Sequence, residues 1–213
     1  MNYQEKKRGI ALGVRNMEYF ALVAGYLLGS IPFGYLVSKY LKGVNILEHG
    51  SGNIGFTNVL RTVGWQPALL VLVGDIGKGA LAAWLGLING GQTIGIFCGI
   101  AALLGHSFSI FLRFKGGKMV ATASGVLMVL APKVALVATV TWLGTTFITR
   151  YVSLASILAA IGVFLSMFIF NESPGMKIFL ALAGTFIIFK HRKNIDRLLK
   201  GQESKIGQKA GPK

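Results

Sequence analysis

An all-α bundle of membrane-spanning helices is the fold this sequence predicts, and three observations carry it. Of the 213 residues, 53% are hydrophobic and the mean hydropathy is +0.62, while only 14% are charged; an ordinary soluble domain carries about 25%. The apolar residues gather into runs of near-membrane length instead of alternating with polar ones. Polar, Gly-rich and basic stretches fall between those runs. The reading is seven transmembrane helices, some short or broken, in a single integral membrane domain over residues 17–200. A basic N-terminal extension, 1–16, precedes it, and a basic tail, 201–213, follows with the composition of a disordered segment.

Residues 1–16 are polar, and the apolar run after them is too long for a signal peptide and lacks a small-residue cleavage site. Met17 stands immediately before the first span and is a candidate translation start. Residues 19–40 form that span, interrupted by GSIPFG (29–34), where Pro32 removes a backbone donor. The polar stretch GSGNIGFTNVLR (50–61) comes next. The second span, 67–88, carries Asp75 and Lys78 in DIGKG. Charges inside a span mark a functional site by default, yet the i,i+3 spacing also lets the two neutralise each other on one helix face. A short uncharged link, 87–92, leads to the third span, 92–112, with His106 and Ser107 near its end. After RFKGGK (113–118), residues 119–131 and 134–148 are short for full crossings and read as a thin hairpin or a re-entrant pair. Residues 152–170 form a span with Ser153 and Ser156 near its start. The last helix begins at 178 and is expected to run without interruption into KHRKNIDRLLK.

The net charge of +15 does not point to nucleic acid, because the basic residues sit between and after apolar spans. Anionic lipid head groups and positive-inside topology account for them. With seven crossings, Lys39, Lys42, Arg61, Arg113, Lys115, Lys118, Arg150 and the basic residues from Lys190 onward share one side. Lys6, Lys7, Arg8, Arg15, Lys133 and Lys177 take the other. The expected orientation is a cytoplasmic C-terminus and an external N-terminus in a bacterial inner or plasma membrane. Both Gly-rich loops and His191 then lie on one face. The single cysteine, Cys98, excludes an internal disulfide and reads as a packed, inert thiol. No His, Cys or carboxylate set has metal-ligand spacing, so neither metal nor cofactor is expected.

The stretch 50–61 has the chemistry of an anion cradle. Gly50, Gly52 and Gly55 allow positive φ and close approach to a ligand; Ser51, Asn53, Thr57 and Asn58 bring hydroxyls and amides; Arg61 brings a guanidinium fork suited to phosphate. In KGGK, Lys115 and Lys118 flank Gly116 and Gly117 and open a helix at Met119, another anion-binding pattern, although the Walker A spacing is absent. His191 and Asn194 are three apart on a helix and share a face, with Arg192 beside them. His191 and Asp196 match a His-x4-Asp acyltransferase spacing. Five residues is about 140° round a continuous helix, so that match is chance.

Taken together, GSIPFG (29–34), GSGNIGFTNVLR (50–61), DIGKG (75–79), GHSF (105–108), FKGGKMVAT (114–122), RYVSLAS (150–156) and HRKNI (191–195) resemble the bacterial acyl-phosphate:glycerol-3-phosphate acyltransferase family. The resemblance implies a seven-span membrane enzyme of phospholipid synthesis. It would move a fatty acyl group from acyl-phosphate to the sn-1 hydroxyl of glycerol 3-phosphate, giving lysophosphatidic acid and inorganic phosphate without a covalent acyl-enzyme. The implied catalytic groups are Ser51, Arg61, Lys118, His191 and Asn194. Binding groups would be Gly50, Gly52, Asn53, Gly55, Thr57, Asn58, Lys115, Gly116, Gly117, Ser156 and Arg192, with Asp75, Lys78 and His106 structural or of open role. Implied partners are the two substrates, membrane lipids and an enzyme that produces acyl-phosphate; the oligomeric state stays open. Two positions depart from the family pattern: Phe56 stands where Ala is expected, and Met119 where Gly is expected. Both add bulk beside backbone that should approach phosphate, and Met119 would be strained if its φ were positive. A phosphate or organophosphate transporter and a non-catalytic lipid-binding relative of the enzyme are the competing readings.

Overall fold

The structure, a computed structural model, describes residues 3–208, with side chains from Met17 onward. Every regular element among them is helical. In chain order they are α1 (Tyr3–Ser30), α2 (Phe33–Lys42), α3 (Phe56–Thr62), α4 (Trp65–Ser107), α5 (Val120–Leu130), α6 (Pro132–Thr149), α7 (Val152–Ile169), α8 (Pro174–Lys190) and α9 (Arg192–Leu199).

Each predicted apolar run is helical, and its breaks have local causes. The first run stops at Ser30 because the residue before Pro32 is driven out of the α region. The chain restarts at Phe33 with the axis bent by 41°. Such a break strands carbonyls inside the membrane, where water cannot satisfy them. Ser109 Oγ donates to Ser30 O at 2.5 Å and Lys78 Nζ donates to Ile31 O at 2.8 Å. Lys78 Nζ also lies 2.7 Å from Asp75 Oδ1, and His106 Nδ1 is 3.5 Å from the same oxygen. The in-span charges are therefore a mutually neutralised pair, and the lysine caps the Pro32 break. α4 joins the second and third predicted runs across a kink at Gly90 and Gly91, where Gly91 adopts φ 68 and ψ −164.

Buried side chains form two clusters. The larger gathers α4, α5, α6, α7 and α8 around Leu103, Val126, Val134, Val163 and Leu180. The smaller lies under the cradle around Ile46, Ile54, Val59 and Val71. Outward positions stay apolar, Phe147 and Ile169 among them, as lipid-facing surfaces require. Taken singly, α4 and α7 are long and apolar enough to cross a membrane, and the bent α1–α2 pair passes the same test only if its two helices count as one span. The 11 residues of α5 are too few for a full crossing.

Two expectations near the C-terminus are corrected. The last helix is not continuous, because it breaks at His191 (φ −94, ψ 4). The His191 N–H is shared between the Ile187 and Ile188 carbonyls at 3.2 and 2.9 Å, and Nδ1 bonds Ile187 O at 2.8 Å. This tightened last turn ends α8, and α9 begins at Arg192. The tail from residue 201, read as disordered, carries Glu203 to 6% exposure in contact with α7 and α9. Three hydrogen-bonding partners hold its carboxylate there, as described below. Residues 209–213 lie outside the described residues.

Candidate active site

The cradle is built by one side chain. Asn58, buried on α3, accepts from Ser51 N–H at 2.9 Å through Oδ1, and its Nδ2 donates to His49 O at 3.1 Å and Asn53 O at 2.9 Å. These bonds curl residues 49–58 around the amide, with Gly50 at φ 55 and Gly52 at φ 68 making the turns. Asn53 Oδ1 accepts from Gly55 N–H at 2.9 Å, ahead of the first turn of α3. The amide of Asn58 is thus spent on the loop itself. Arg61, one turn on, donates from one terminal nitrogen to Ser204 O, while its Nε is buried with no hydrogen-bond partner among the described residues.

KGGK is held against the end of α4. Gly117 N–H donates to His106 O at 2.9 Å and Ser107 Oγ donates to Gly117 O at 3.2 Å. A Cβ on Gly116 would lie 2.1 Å from His106 O, and one on Gly117 2.0 Å from His106 Nε2. The two glycines therefore serve close packing on His106, and this seats Lys118. Met119 caps α5 with φ 67 and is 2% exposed, so the conformation that would strain it is the one it adopts. Its side chain packs into the larger cluster, which keeps it in that backbone region.

Lys118 Nζ donates to Asn194 Oδ1 at 2.5 Å. Asn194 Nδ2 in turn donates to Glu203 Oε1 at 2.8 Å, Ser153 Oγ donates to the same oxygen at 2.8 Å, and Arg197 Nε donates to Oε2 at 2.6 Å. Burial pulls the Lys118 ammonium down to about 8; Glu203 opposes the fall, and Arg197, Arg61 and Lys190 add to it. Burial and then the Lys118 charge push His191 down to about 4. Because Ile187 O accepts at Nδ1, the proton of the neutral ring sits there and Nε2 keeps its lone pair. Burial alone would raise the Glu203 carboxyl, but the hydrogen bonds from Asn194, Arg197 and Ser153 outweigh it and hold it below the usual range.

These groups border one cavity of about 310 Å³. Its polar end holds Ser51, Asn53, Thr57, Arg61, Lys118 and His191, with Asn194 and Glu203. Leu127, Leu143, Val163 and Phe179 line an apolar continuation between α5, α6, α7 and α8. Gly55, Asn58, Asp75, His106 and Ser156 also reach the wall, the Ser156 hydroxyl donating to Val152 O at 2.8 Å and accepting from Trp142 Nε1 at 3.2 Å.

Other sequence candidates lie elsewhere. Gly50, Gly52, Lys78, Lys115, Gly116, Gly117 and Arg192 are not among the cavity-lining residues. Lys115 is exposed, and Arg192 turns back to Phe189, donating to its carbonyl at 3.2 Å and covering its ring. Asp196 is exposed and pairs with Lys200 at 2.9 Å, away from His191. Glu203 and Arg197 are the charged cavity-lining groups that the sequence did not single out.

The family model for glycerol-3-phosphate acyltransferase matches residues 19–201. This chain belongs to that family. The enzyme of that name from Carboxydothermus hydrogenoformans is 45% identical over 194 residues, covering 90% of this chain and 97% of the relative. The one from Desulforudis audaxviator is 47% identical over 181 residues, covering 85% and 91%. The fold matches a crystal structure of PlsY (YgiH), described as an integral membrane glycerol 3-phosphate acyltransferase, in its glycerol 3-phosphate form. That match has a TM-score of 0.85 and 43% identity, covering 89% of this chain and 96% of that one. The lysophosphatidic acid form of the same protein matches at TM-score 0.83, also with 43% identity, covering 89% and 95%. A polytopic, all-helical membrane acyltransferase is therefore established by family and by fold.

Proposed function

We propose that this acyltransferase moves a fatty acyl group from acyl-phosphate to the sn-1 hydroxyl of glycerol 3-phosphate, releasing lysophosphatidic acid and inorganic phosphate at the cytoplasmic membrane face. The observation that carries the reading is a single cavity whose polar end holds Arg61, Lys118, an Arg197 paired with Glu203, and a neutral histidine, and whose other end is apolar. Two anionic head groups suit Arg61, whose buried Nε has no hydrogen-bond partner among the described residues, and Lys118. The acyl chain suits the wall of Leu127, Leu143, Val163 and Phe179. Glycerol 3-phosphate as acceptor agrees with the names of the relatives and with the ligand states of the matched PlsY structures.

The sn-1 oxygen attacks the acyl carbonyl carbon, the carbon–oxygen bond to phosphate breaks, and the hydroxyl proton leaves with the phosphate. Phosphate is a competent leaving group, so no enzyme nucleophile is required. Arg61 and Lys118 hold the reactants together and stabilise the developing oxyanion. His191 Nε2 orients the hydroxyl by accepting its hydrogen bond. With a pKa of about 4 it is a weaker proton acceptor than a phosphate oxygen, whose second pKa is about 6. Lys118 must be protonated, so kcat/KM falls as pH rises through about 8. Arg61→Ala and Lys118→Ala are each expected to lower kcat/KM by roughly 10²–10³. Full activity in both variants would remove these residues from the site.

A further inference from the structure

The charge that governs Lys118 comes from a part of the chain that no motif marks. We infer that Glu203 is a positioning residue for Lys118, acting through Asn194, with Arg197 as its electrostatic counterweight; the inference rests on the acyl-transfer reading above. An amide has one oxygen and one NH₂, and Glu203 Oε1 accepts only donors. By taking Asn194 Nδ2 at 2.8 Å it turns Asn194 Oδ1 toward Lys118 Nζ. Ser153 Oγ and Arg197 Nε fix the carboxylate from α7 and α9. The segment that carries Glu203, residues 203–206, is itself pinned: Ile206 N–H donates to Arg150 O at 2.8 Å, Arg150 donates back to Ile206 O at 3.2 Å, and Ser204 O accepts from Arg61. One short segment thus contacts Arg61 and Arg197 directly and Lys118 through an amide.

The groups facing Lys118 are Glu203 after α9, Asn194 and Arg197 on α9, Arg61 on α3, Lys190 at the end of α8, and His191 between α8 and α9. Of the charged groups among these, only Glu203 favours its charged form. Removing that carboxylate moves the alkaline limb to lower pH, and removing Arg197 moves it to higher pH. A residue that only braced the fold would not give shifts of opposite sign.

The test measures kcat/KM for glycerol 3-phosphate, with acyl-phosphate as donor, from about pH 6 to pH 9.5. It compares the wild type with Glu203→Gln, Glu203→Asp, Arg197→Gln and the double variant Glu203→Gln/Arg197→Gln. Glu203→Gln is expected to lose roughly ten- to hundredfold at neutral pH, the scale of a hydrogen bond to a charged group, and its limb should move down. Arg197→Gln should move the limb up, the double variant should return it toward the wild-type position, and Glu203→Asp should restore the limb in part. If Glu203→Gln does not fold, the upward shift of Arg197→Gln and the limb of Glu203→Asp decide the matter. Shifts in the same direction, or none, would overturn the inference. Calorimetric binding of glycerol 3-phosphate over the same pH range separates the two claims. Opposite shifts in binding without product from acyl-phosphate would remove the donor assignment and keep the positioning role. Wild-type turnover with no shifts would do the reverse, and no binding of glycerol 3-phosphate by the wild type would remove both.

Discussion

Three residues show how side chains of familiar type take on unexpected work. Asn58 has the composition of a ligand-binding amide, but its hydrogen bonds go to Ser51, His49 and Asn53, so it shapes the cradle that presents its neighbours. Met119 holds φ 67 while 2% exposed. Met119→Gly relieves a backbone cost of order 1–3 kcal/mol but deletes a buried side chain worth about 2–5 kcal/mol. Met119→Ala loses the packing and keeps the strain. The expected order of melting temperature is wild type, then Met119→Gly, then Met119→Ala; Ala above Gly would contradict the left-handed geometry. His191 is neutral, with its folded pKa depressed to about 4. An unfolded imidazole binds a proton below about 6.5, so its contribution to stability is full above that pH and is lost as pH falls toward 4. His191→Gln should therefore flatten the fall of melting temperature between about pH 6.5 and pH 4. An unchanged slope would place the acid sensitivity elsewhere.

Helices and loops carry the part of the account that the sequence spells out. Pro32 and the Gly90–Gly91 pair break the helices where local chemistry says they must. The i,i+3 spacing of Asp75 and Lys78 already allowed a neutral pair, but not the task of capping the Ile31 carbonyl, because that contact spans two elements distant in sequence. The break at His191 carries neither Gly nor Pro; it follows from a ring-to-backbone bond visible only in three dimensions. Glu203 was equally hidden. A lone carboxylate in a polar, basic tail has no periodicity, and its partners Ser153 and Asn194 are 50 and 9 residues away. Its only sequence signal is a single acid among the cations after Lys190, apart from Asp196. At this scale Lys78→Met should be more damaging than Asp75→Asn/Lys78→Met. The single change leaves a buried carboxylate without its cation, a loss of about 3–5 kcal/mol. Thermal unfolding in detergent compares the two, and equal melting temperatures would contradict the neutral-pair reading.

The whole molecule joins a polar face to an apolar interior. Seven crossings, with both Gly-rich loops and α9 on the cytoplasmic side, remain our proposal for its topology; it follows from the basic residues and requires the 11-residue α5 to serve as one short, thinned crossing. Cys98 is buried and gives a low background for labelling. Cysteines placed at Lys115 and Lys193 should react with an impermeant maleimide only from the cytoplasmic side, and those at Lys133 and Lys177 only from the other. Reaction of all four from one side would refute the arrangement. The central claim concerns the reaction itself. Purified protein supplied with acyl-phosphate and glycerol 3-phosphate, with acyl-CoA in a parallel arm, should release inorganic phosphate and form lysophosphatidic acid in equal amounts, and the acyl-CoA arm should stay silent. Phosphate released without lysophosphatidic acid, or acylation from acyl-CoA alone, would contradict it.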